Sequence, residues 1–460
     1  MLNFRLSQQR SSLQTAIAPL VSVAVALASF ADIALSQGVR PLPGRLDRVP
    51  VFNSNSPELV LEEGILLSTF PPEDKAVPEA HLDFPFAGRF DIFAHHVARA
   101  PEPDDLRSLY LGIVAYNPND EPVRIDILRG ATYLSQPDAP FIGLPAQVPN
   151  PDGEVYAGPG SRVGSDVLRG WRSSDLPESV TISPGETRLL LNRPIPVREL
   201  EPPLNGRSAL LHLDSDNPVY VASLALYAPQ TADGERAPTL EEWRELLQTG
   251  DLARPRDLAP TPPGDPGPPF RYGRVAGVAR GSVWRSRLTD ENSNVLAIAP
   301  PGEAIFYGLS TLPLGQLGTG QSQSAEMLVR YPDTAYFAHG NYGIRYSLTL
   351  PLLNPTDETQ TVEIALETPV KEDELSTGEL QFLDPPDDRI FFRGTVRIRY
   401  LDRNGWQTNY WHLVQRRGQR GEALATLDLE PGDRRLVRVD FLYPPDATPP
   451  QVLSVRTQKQ

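Results

Sequence analysis

Residues 109–125, LYLGIVAYNPNDEPVRI, decide the fold class. Apolar side chains occupy every second position from Leu109 to Ala115, the polar turn Asn117–Pro122 follows, and the alternation resumes at Val123 and Ile125. Such alternation, interrupted by Asn, Asp and Pro, is typical of a hairpin in a half-buried antiparallel sheet. The stretch therefore predicts an all-β fold.

The same pattern returns in the second half of the chain. Residues 348–364 read LTLPLLNPTDETQTVEI, with an Asn-Pro turn at the matching place. Further landmarks recur in the same order, as expected of an internal duplication. They are Asn53–Asn55 with Asn292–Asn294, Leu67–Pro71 with Leu309–Pro313, Phe93–His95 with Phe337–His339, Pro184–Glu186 with Pro431–Asp433, and Pro218 with Pro449.

These landmarks divide the chain into two related units, 40–228 and 275–460. Further strand–turn–strand patterns surround Pro184-Gly185 and Asp214–Asn217, and short strands split by Pro and Gly turns favour β-sandwiches over a barrel. The linker 229–274 contains a Pro-rich spacer, PRDLAPTPPGDPGPP. Before it, Thr239 and Glu242 predict a capped helix over 239–248 that docks through Trp243. We expect two related antiparallel β-sandwich-like units joined by a Pro-rich linker with a short helix.

Charge and cysteine content exclude several classes of protein. The 460 residues include 58 Asp or Glu and 43 Lys or Arg, a formal net charge of −15, with 49 prolines and no cysteine. Disulfides and thiolate metal sites are therefore excluded. An acidic chain is also a poor nonspecific ligand for DNA, RNA or anionic lipid. We expect no nucleic-acid partner.

The first 36 residues have the pattern of a secretory signal peptide. Arg5 and Arg10 precede the apolar run 17–28, which is too short to span a bilayer. Small residues place the cleavage site after Ser36, before Gln37, or alternatively after Ala28, before Ser29. We therefore expect an exported protein of the periplasm or cell envelope, without a transmembrane segment once the signal is removed.

Two sets of residues are candidates for ligand binding. His95 and His339 occupy matching places in the two units, although a buried histidine bonded to backbone is the more frequent role of such a residue. Trp406, Tyr410 and Trp411 lie close in sequence to several arginines and could stack on sugar rings. Alternating core positions in a strand would give the same aromatic pattern.

No catalytic or metal-binding motif is present. The chain lacks a Gly-x-Ser-x-Gly elbow and a His-Glu-x-x-His sequence, so we expect no catalytic residue, metal or cofactor. A noncatalytic envelope protein that binds a partner protein or a glycan is the favoured function. The abundant carboxylates leave two alternatives, a polysaccharide- or peptidoglycan-acting hydrolase with carboxylates in a cleft between the units, and a divalent-cation-binding envelope protein.

Several strings carry a resemblance to a known family. They are RPLPG at 40–44, PVFNSNSPEL at 50–59, AHH at 94–96, YPD at 331–333, AHGNYG at 338–343 and LLNPTD at 352–357. The chain resembles an exported cyanobacterial family known only as a domain of unknown function. The resemblance covers nearly all of the chain after the signal, implies an envelope location, and supplies no activity or site residue.

Overall fold

The computed structural model describes residues 35–36, 38–100, 102, 104–265 and 270–459. The signal-peptide prediction falls outside these residues, apart from its last two positions. In the described part of the chain, strands far outnumber helices, and the all-β prediction is confirmed. No helix among these residues is long and apolar enough to cross a membrane.

The first half of the chain contains fifteen strands, two helices and a short 3₁₀-helix, Pro78–Ala80, among the described residues. The helices are α1 (Pro159–Arg169) and α2 (Leu240–Thr249). The strands are β1 (Leu35–Ser36), β2 (Val39–Arg40), β3 (Arg45–Leu46), β4 (Pro50–Ser54), β5 (Leu59–Val60), β6 (Gly64–Ser68), β7 (Phe86–Arg99), β8 (Leu109–Tyr116), β9 (Val123–Leu134), β10 (Gln147–Pro149), β11 (Ser179–Ile182), β12 (Thr187–Ile195), β13 (Leu204–Tyr227), β14 (Gln230–Thr231) and β15 (Gly234–Glu235).

Every regular element described in the second half is a strand. They are β16 (Ala276–Arg280), β17 (Val283–Arg287), β18 (Leu296–Ala297), β19 (Ala304–Leu309), β20 (Ala325–Arg330), β21 (Phe337–Ala338), β22 (Arg345–Leu353), β23 (Gln360–Glu367), β24 (Leu380–Gln381), β25 (Ile390–Asp402), β26 (Gly405–Arg416), β27 (Ala423–Leu429), β28 (Arg434–Leu442) and β29 (Gln451–Thr457).

The described strands form three large sheets, of twelve, eight and five strands. In the second half, the eight-stranded and five-stranded sheets enclose one core, where Leu348 and Val439 meet Ile364 and Leu453. Pairing is mixed rather than purely antiparallel, because β4 and β5 run parallel to β7, and β17 and β18 run parallel to β22.

The hairpins predicted at the two Asn-Pro turns are wrong. Strand β8 pairs with β12 and β13, whereas β9 pairs with β11 and a different part of β13. Likewise, β22 pairs with β28 and β23 pairs with β27. Each turn crosses between sheet layers, because the apolar faces of its two strands are buried against each other: Ile113 and Ile125 share one core.

An asparagine holds each of these two crossings in the same way. The Asn117 Nδ2 donates to the carbonyls of Glu121 at 2.8 Å and Ile182 at 2.9 Å. The Asn354 Nδ2 donates to the carbonyls of Glu358 at 2.8 Å and Leu429 at 2.9 Å. A duplication would produce these matched bonds, and it stays a prediction until the two halves are superimposed.

The turn predicted at Asp214–Asn217 is also wrong, because β13 continues through it. Residues 204–215 of β13 pair with β7, and after a register shift Val219 pairs with β7 as well. Residues 220–227 pair with β8. The polar residues at this point mark a bend where one long strand passes from one sheet layer to the other.

Strands cross the predicted boundaries between the units. Strand β16 pairs with β4, β10 pairs with β26, and β3 pairs with β17. In the linker, Thr239 caps α2 together with Glu242, and the buried Trp243 lies against Gly112, where a Cβ atom would be 2.7 Å from the indole. These contacts place residues of both predicted units around a shared central region.

Candidate functional site

A cavity of about 370 Å³ opens where segments of both predicted units meet. One wall comes from the loop after β4 and from β7, and the opposite wall comes from the segment after β21 and the loop after β28. Its polar lining comprises Asn53, Asn55, Glu58, His95, Tyr272, Arg274, His339, Tyr342, Lys371, Asp446 and Thr448.

His95 is held on the β7 wall by a buried hydroxyl. Its Nδ1 lies 2.8 Å from Ser208 Oγ, and its Nε2 lies 3.9 Å from Glu58 Oε1. Burial lowers the pKa of His95, and nearby Arg274 acts in the same direction against the attraction of Glu58. The ring is therefore neutral at physiological pH and can both donate and accept a hydrogen bond.

His339 occupies the opposite wall in a matching arrangement. Its Nδ1 lies 3.0 Å from Ser324 Oγ, and its ring meets the edge of Tyr272 at a centroid distance of 4.7 Å. Burial and the charge of Lys371 lower the pKa of His339 to about 4. The cavity thus presents two neutral, oriented imidazoles.

The backbone-bonded histidine expected from the sequence is His96 rather than His95 or His339. His96 Nδ1 lies 2.8 Å from the carbonyl oxygen of Pro57, and its Nε2 lies 2.9 Å from Ser54 Oγ. It is buried on the face of β7 that points away from His95. Adjacent histidines on one strand therefore have different surroundings, because successive side chains point to opposite faces.

Two carboxylates share the cavity but differ in their neighbours. Glu58 accepts from Arg274 Nε at 2.9 Å, and Arg274 also donates to Asp257 at 3.1 Å. No ion pair of Asp446 is formed among the described residues, and burial raises its pKa to about 6 against the attraction of the more distant Arg393. Its Oδ2 has no hydrogen-bond partner among the described residues. One carboxylate is held by an ion pair, and the other is poised to hold a proton.

Lys371 supplies a cation without an anionic partner in the described part of the chain. Its ammonium lies 5.3 Å from the centroid of Tyr272, and no carboxylate of the described residues is within 4.0 Å. Burial lowers the pKa of Lys371, and Asp373 partly offsets this change. An unpaired ammonium in a half-enclosed, aromatic-walled site favours a ligand with a negative group.

The serines that contact the two histidines lie outside the cavity lining. Ser208 is fully buried between strands. Each hydroxyl orients an imidazole. The described residues also contain no group of three or more His, Asp or Glu placed to hold a metal ion.

The structure brings together the two predicted histidines, which lie 244 positions apart, but not the predicted aromatic residues. Trp406, Tyr410 and Trp411 lie on β26, outside the cavity lining. Trp411 packs on the second-half core and donates from Nε1 to the carbonyl of Leu424 at 2.9 Å. Trp406 is 47% exposed.

Sequence reasoning missed the charged lining, Glu58, Arg274, Lys371 and Asp446. All four lie in segments between regular strands, so no periodicity singles them out. The two histidines could be predicted because Phe-Ala-His occurs twice in the sequence and the two copies could be compared.

Fold and site define a β-rich protein with stacked sheets and a polar cavity lined by both halves of the chain. Residues 37–457 match the family described as "Protein of unknown function (DUF3370)", and the chain belongs to that family. No curated protein matches the chain.

Three similar solved structures have TM-scores of 0.12 or less. Lac15 from a marine microbial metagenome is 10% identical with a TM-score of 0.12; the alignment covers 88% of this chain and 62% of that chain, so the chain spans less than two thirds of its length. A mutant of Bacillus subtilis oxalate decarboxylase OxdC is 7% identical, with coverage of 86% and 78% and a TM-score of 0.09. The coconut allergen cocosin is 11% identical, with coverage of 80% and 77% and a TM-score of 0.09. None of them bears on function.

Proposed function

We propose that this protein is an exported, noncatalytic component of the cell envelope that binds a glycan in the cavity between His95 and His339. Export is supported by the signal-like pattern of residues 1–36. The volume of about 370 Å³ lies within the range of small-ligand sites. The observation that carries the proposal is the convergence of two neutral histidines and an unpaired lysine on one cavity.

Three parts of the lining suit a sugar that carries an acidic group. The neutral imidazoles of His95 and His339 can each accept or donate a hydrogen bond to a hydroxyl. The rings of Tyr272 and Tyr342 offer apolar, rigid surfaces. Lys371 supplies the charge that a carboxylate of the ligand would pair with.

Binding to solubilised envelope polysaccharide and peptidoglycan fragments tests this function. The purified mature protein, residues 37–460, is titrated calorimetrically with each fraction. We expect Lys371→Gln to raise Kd about tenfold, the loss of roughly one charged hydrogen bond. Lys459→Gln, which removes an exposed lysine outside the cavity lining, is the matched control. Failure of the wild type to bind either fraction contradicts the proposal.

The pair Glu58 and Asp446 favours a second candidate, a hydrolase that acts on the same polymers. Asp446, whose pKa burial raises to about 6, would donate the proton in glycoside hydrolysis, and Glu58, which pairs with Arg274, would be the second carboxylate. New reducing ends, formed by the wild type and lost in Glu58→Gln and in Asp446→Asn, would establish this activity. Binding without new reducing ends would favour the noncatalytic role.

A further inference from the structure

The face of the eight-stranded sheet that points away from its own core is lined by arginines, and α1 packs over part of this face at Leu442 and Tyr410. Strand pairing fixes its rows: Arg399 lies beside Arg438, which lies beside Thr349 and then Arg287. The next row holds Arg397, Asp440, Ser347, Arg285 and Arg45. We call this surface the arginine face, and it consists of Arg45, Arg285, Arg287, Arg345, Arg397, Arg399 and Arg438 with the single carboxylate Asp440.

Alternation along the strands separates this face from the core. Tyr346 and Leu348 of β22, and Val437 and Val439 of β28, belong to the buried cluster between the eight-stranded and five-stranded sheets. Their neighbours in sequence must therefore point to the other side of the sheet. The alternation that directs every second side chain into the core therefore directs the arginines to the opposite face of the sheet.

Asp440 is buried at the base of the face, where three arginines converge on it. Its Oδ1 accepts from Arg345 at 2.6 Å, and its Oδ2 accepts from Arg397 and Arg399 at 3.1 Å each. One carboxylate cannot neutralise three guanidinium groups. The Nε atoms of all three arginines are buried and lack an acceptor among the described residues. The base of the face therefore has spare donors and spare positive charge.

The rim of the face is open to solvent. Arg45, Arg285, Arg287 and Arg438 are exposed, and none of them has a carboxylate partner within ion-pair distance in the described part of the chain. Arg438 instead lies over the ring of Trp406, 5.1 Å from its centroid. Strand pairing places Trp406 and Tyr410 on the same side as Arg397 and Arg399, whereas Trp411 faces the core.

Residues of the twelve-stranded sheet continue the positive charge. Burial lowers the pKa of Arg129 of β9, and the nearby charges of Arg345, Arg89 and Arg397 act in the same direction. Asp91 is the carboxylate on that side, and it pairs with Arg89 at 2.9 Å and approaches His212 at 3.5 Å. Positive charge therefore exceeds negative charge across this part of an otherwise acidic protein.

We propose that the arginine face binds an acidic polysaccharide. Guanidinium groups match the planar carboxylates and sulfates of such polymers better than lysine does, because they donate two parallel hydrogen bonds. Neighbouring strands repeat every ~4.8 Å, so the face offers a ladder of cations to a repeating anion. The exposed Trp406 adds a ring on which a sugar can stack. Since the whole chain is acidic, any attraction to a polyanion must be local to this face.

Retention on two acidic polysaccharides tests the proposal in the full mature protein. The probes are polygalacturonate and dextran sulfate, with neutral dextran as the reference. We expect the wild type to bind at least one acidic polymer and not dextran, with affinity falling as salt rises from 50 to 300 mM. Each exposed ion pair should contribute about threefold to the affinity, so Arg285→Gln/Arg438→Gln should raise Kd about tenfold.

A matched pair of substitutions separates this surface from general charge. Arg188→Gln/Arg244→Gln removes the same charge from exposed arginines elsewhere, and should change Kd less than twofold. Lys371→Gln should leave this binding unchanged, which separates it from the cavity. The proposal is overturned if neither acidic polymer binds, if both double variants lose affinity equally, or if soluble polyglutamate competes as well as the polysaccharides, since the surface would then favour acidic proteins.

Discussion

Replacing Asp440 with asparagine should reveal how strongly the arginine face depends on its one carboxylate. Asp440 is 2% exposed and faces Arg345, Arg397 and Arg399, with a further hydrogen bond from Ser347 Oγ at 2.9 Å. Asparagine keeps the shape but loses the charge, so three guanidinium groups are left without a counter-ion. Removing one partner of a buried ion pair is strongly destabilising.

The expected size follows from the proton equilibrium of Asp440. Burial by itself would raise its pKa, but Arg345 and Arg397 hold the pKa at about 2, below the ordinary value of 3.8. A difference of this size corresponds to roughly 2 kcal/mol of folding stability at pH 7. Because the folded-state pKa is depressed, this contribution is present above about pH 4 and is lost as the pH falls through about 2.

Urea denaturation followed by tryptophan fluorescence measures the effect. We expect Asp440→Asn to lose at least roughly 2 kcal/mol at pH 7 and about half as much at pH 3. Asp388→Asn is the control, because Asp388 is 99% exposed and its pair with Arg416 is at the surface. Equal stability of Asp440→Asn and wild type at pH 7 would refute the reasoning.

Four further substitutions test other parts of the structure by the same denaturation assay. Asp446→Asn should stabilise the protein by about 1–2 kcal/mol at pH 7 and should have no such effect at pH 4. The reason is that the raised pKa of Asp446 gives the wild type stability that is present below about pH 4 and is lost as the pH rises through about 6. Trp243→Ala should cost about 3–5 kcal/mol, since the indole is fully buried against Gly112; an unchanged urea midpoint would contradict the docking of α2. Asn117→Ala and Asn354→Ala should lower the free energy of unfolding by similar amounts, about 1–3 kcal/mol each, because each substitution leaves buried carbonyls without a donor. A large difference between the two losses would argue against equivalent crossings.

The sequence predicted the secondary-structure class because the period-2 pattern is local. It could not predict which strands pair. The turn from Asn117 to Pro122 has the composition of a hairpin, but whether two strands bond to each other or pack face to face depends on the apolar surface that each must bury. The long strand β13 shows the same limit, because Asp214–Asn217 has turn residues and yet continues a strand.

The sequence predicted only those residues of the candidate site that belong to a repeated string. Phe-Ala-His recurs, and His95 and His339 line one cavity. Lys371 and Asp446 come from loops, and their unusual surroundings arise from the tertiary packing. The arginine face was partly visible in the sequence as aromatic residues near arginines, but strand alternation separates Trp406 and Tyr410 from Trp411.

The most direct test of the central claim is the NMR spectrum of the histidine rings during a titration with an envelope glycan fragment that binds. The chain has six histidines, and each ring signal can be assigned by a His→Gln variant. We expect the signals of His95 and His339 to shift together with the binding curve, while those of His81 and His412, outside the cavity lining, stay in place. Binding that leaves both His95 and His339 unshifted would contradict the account.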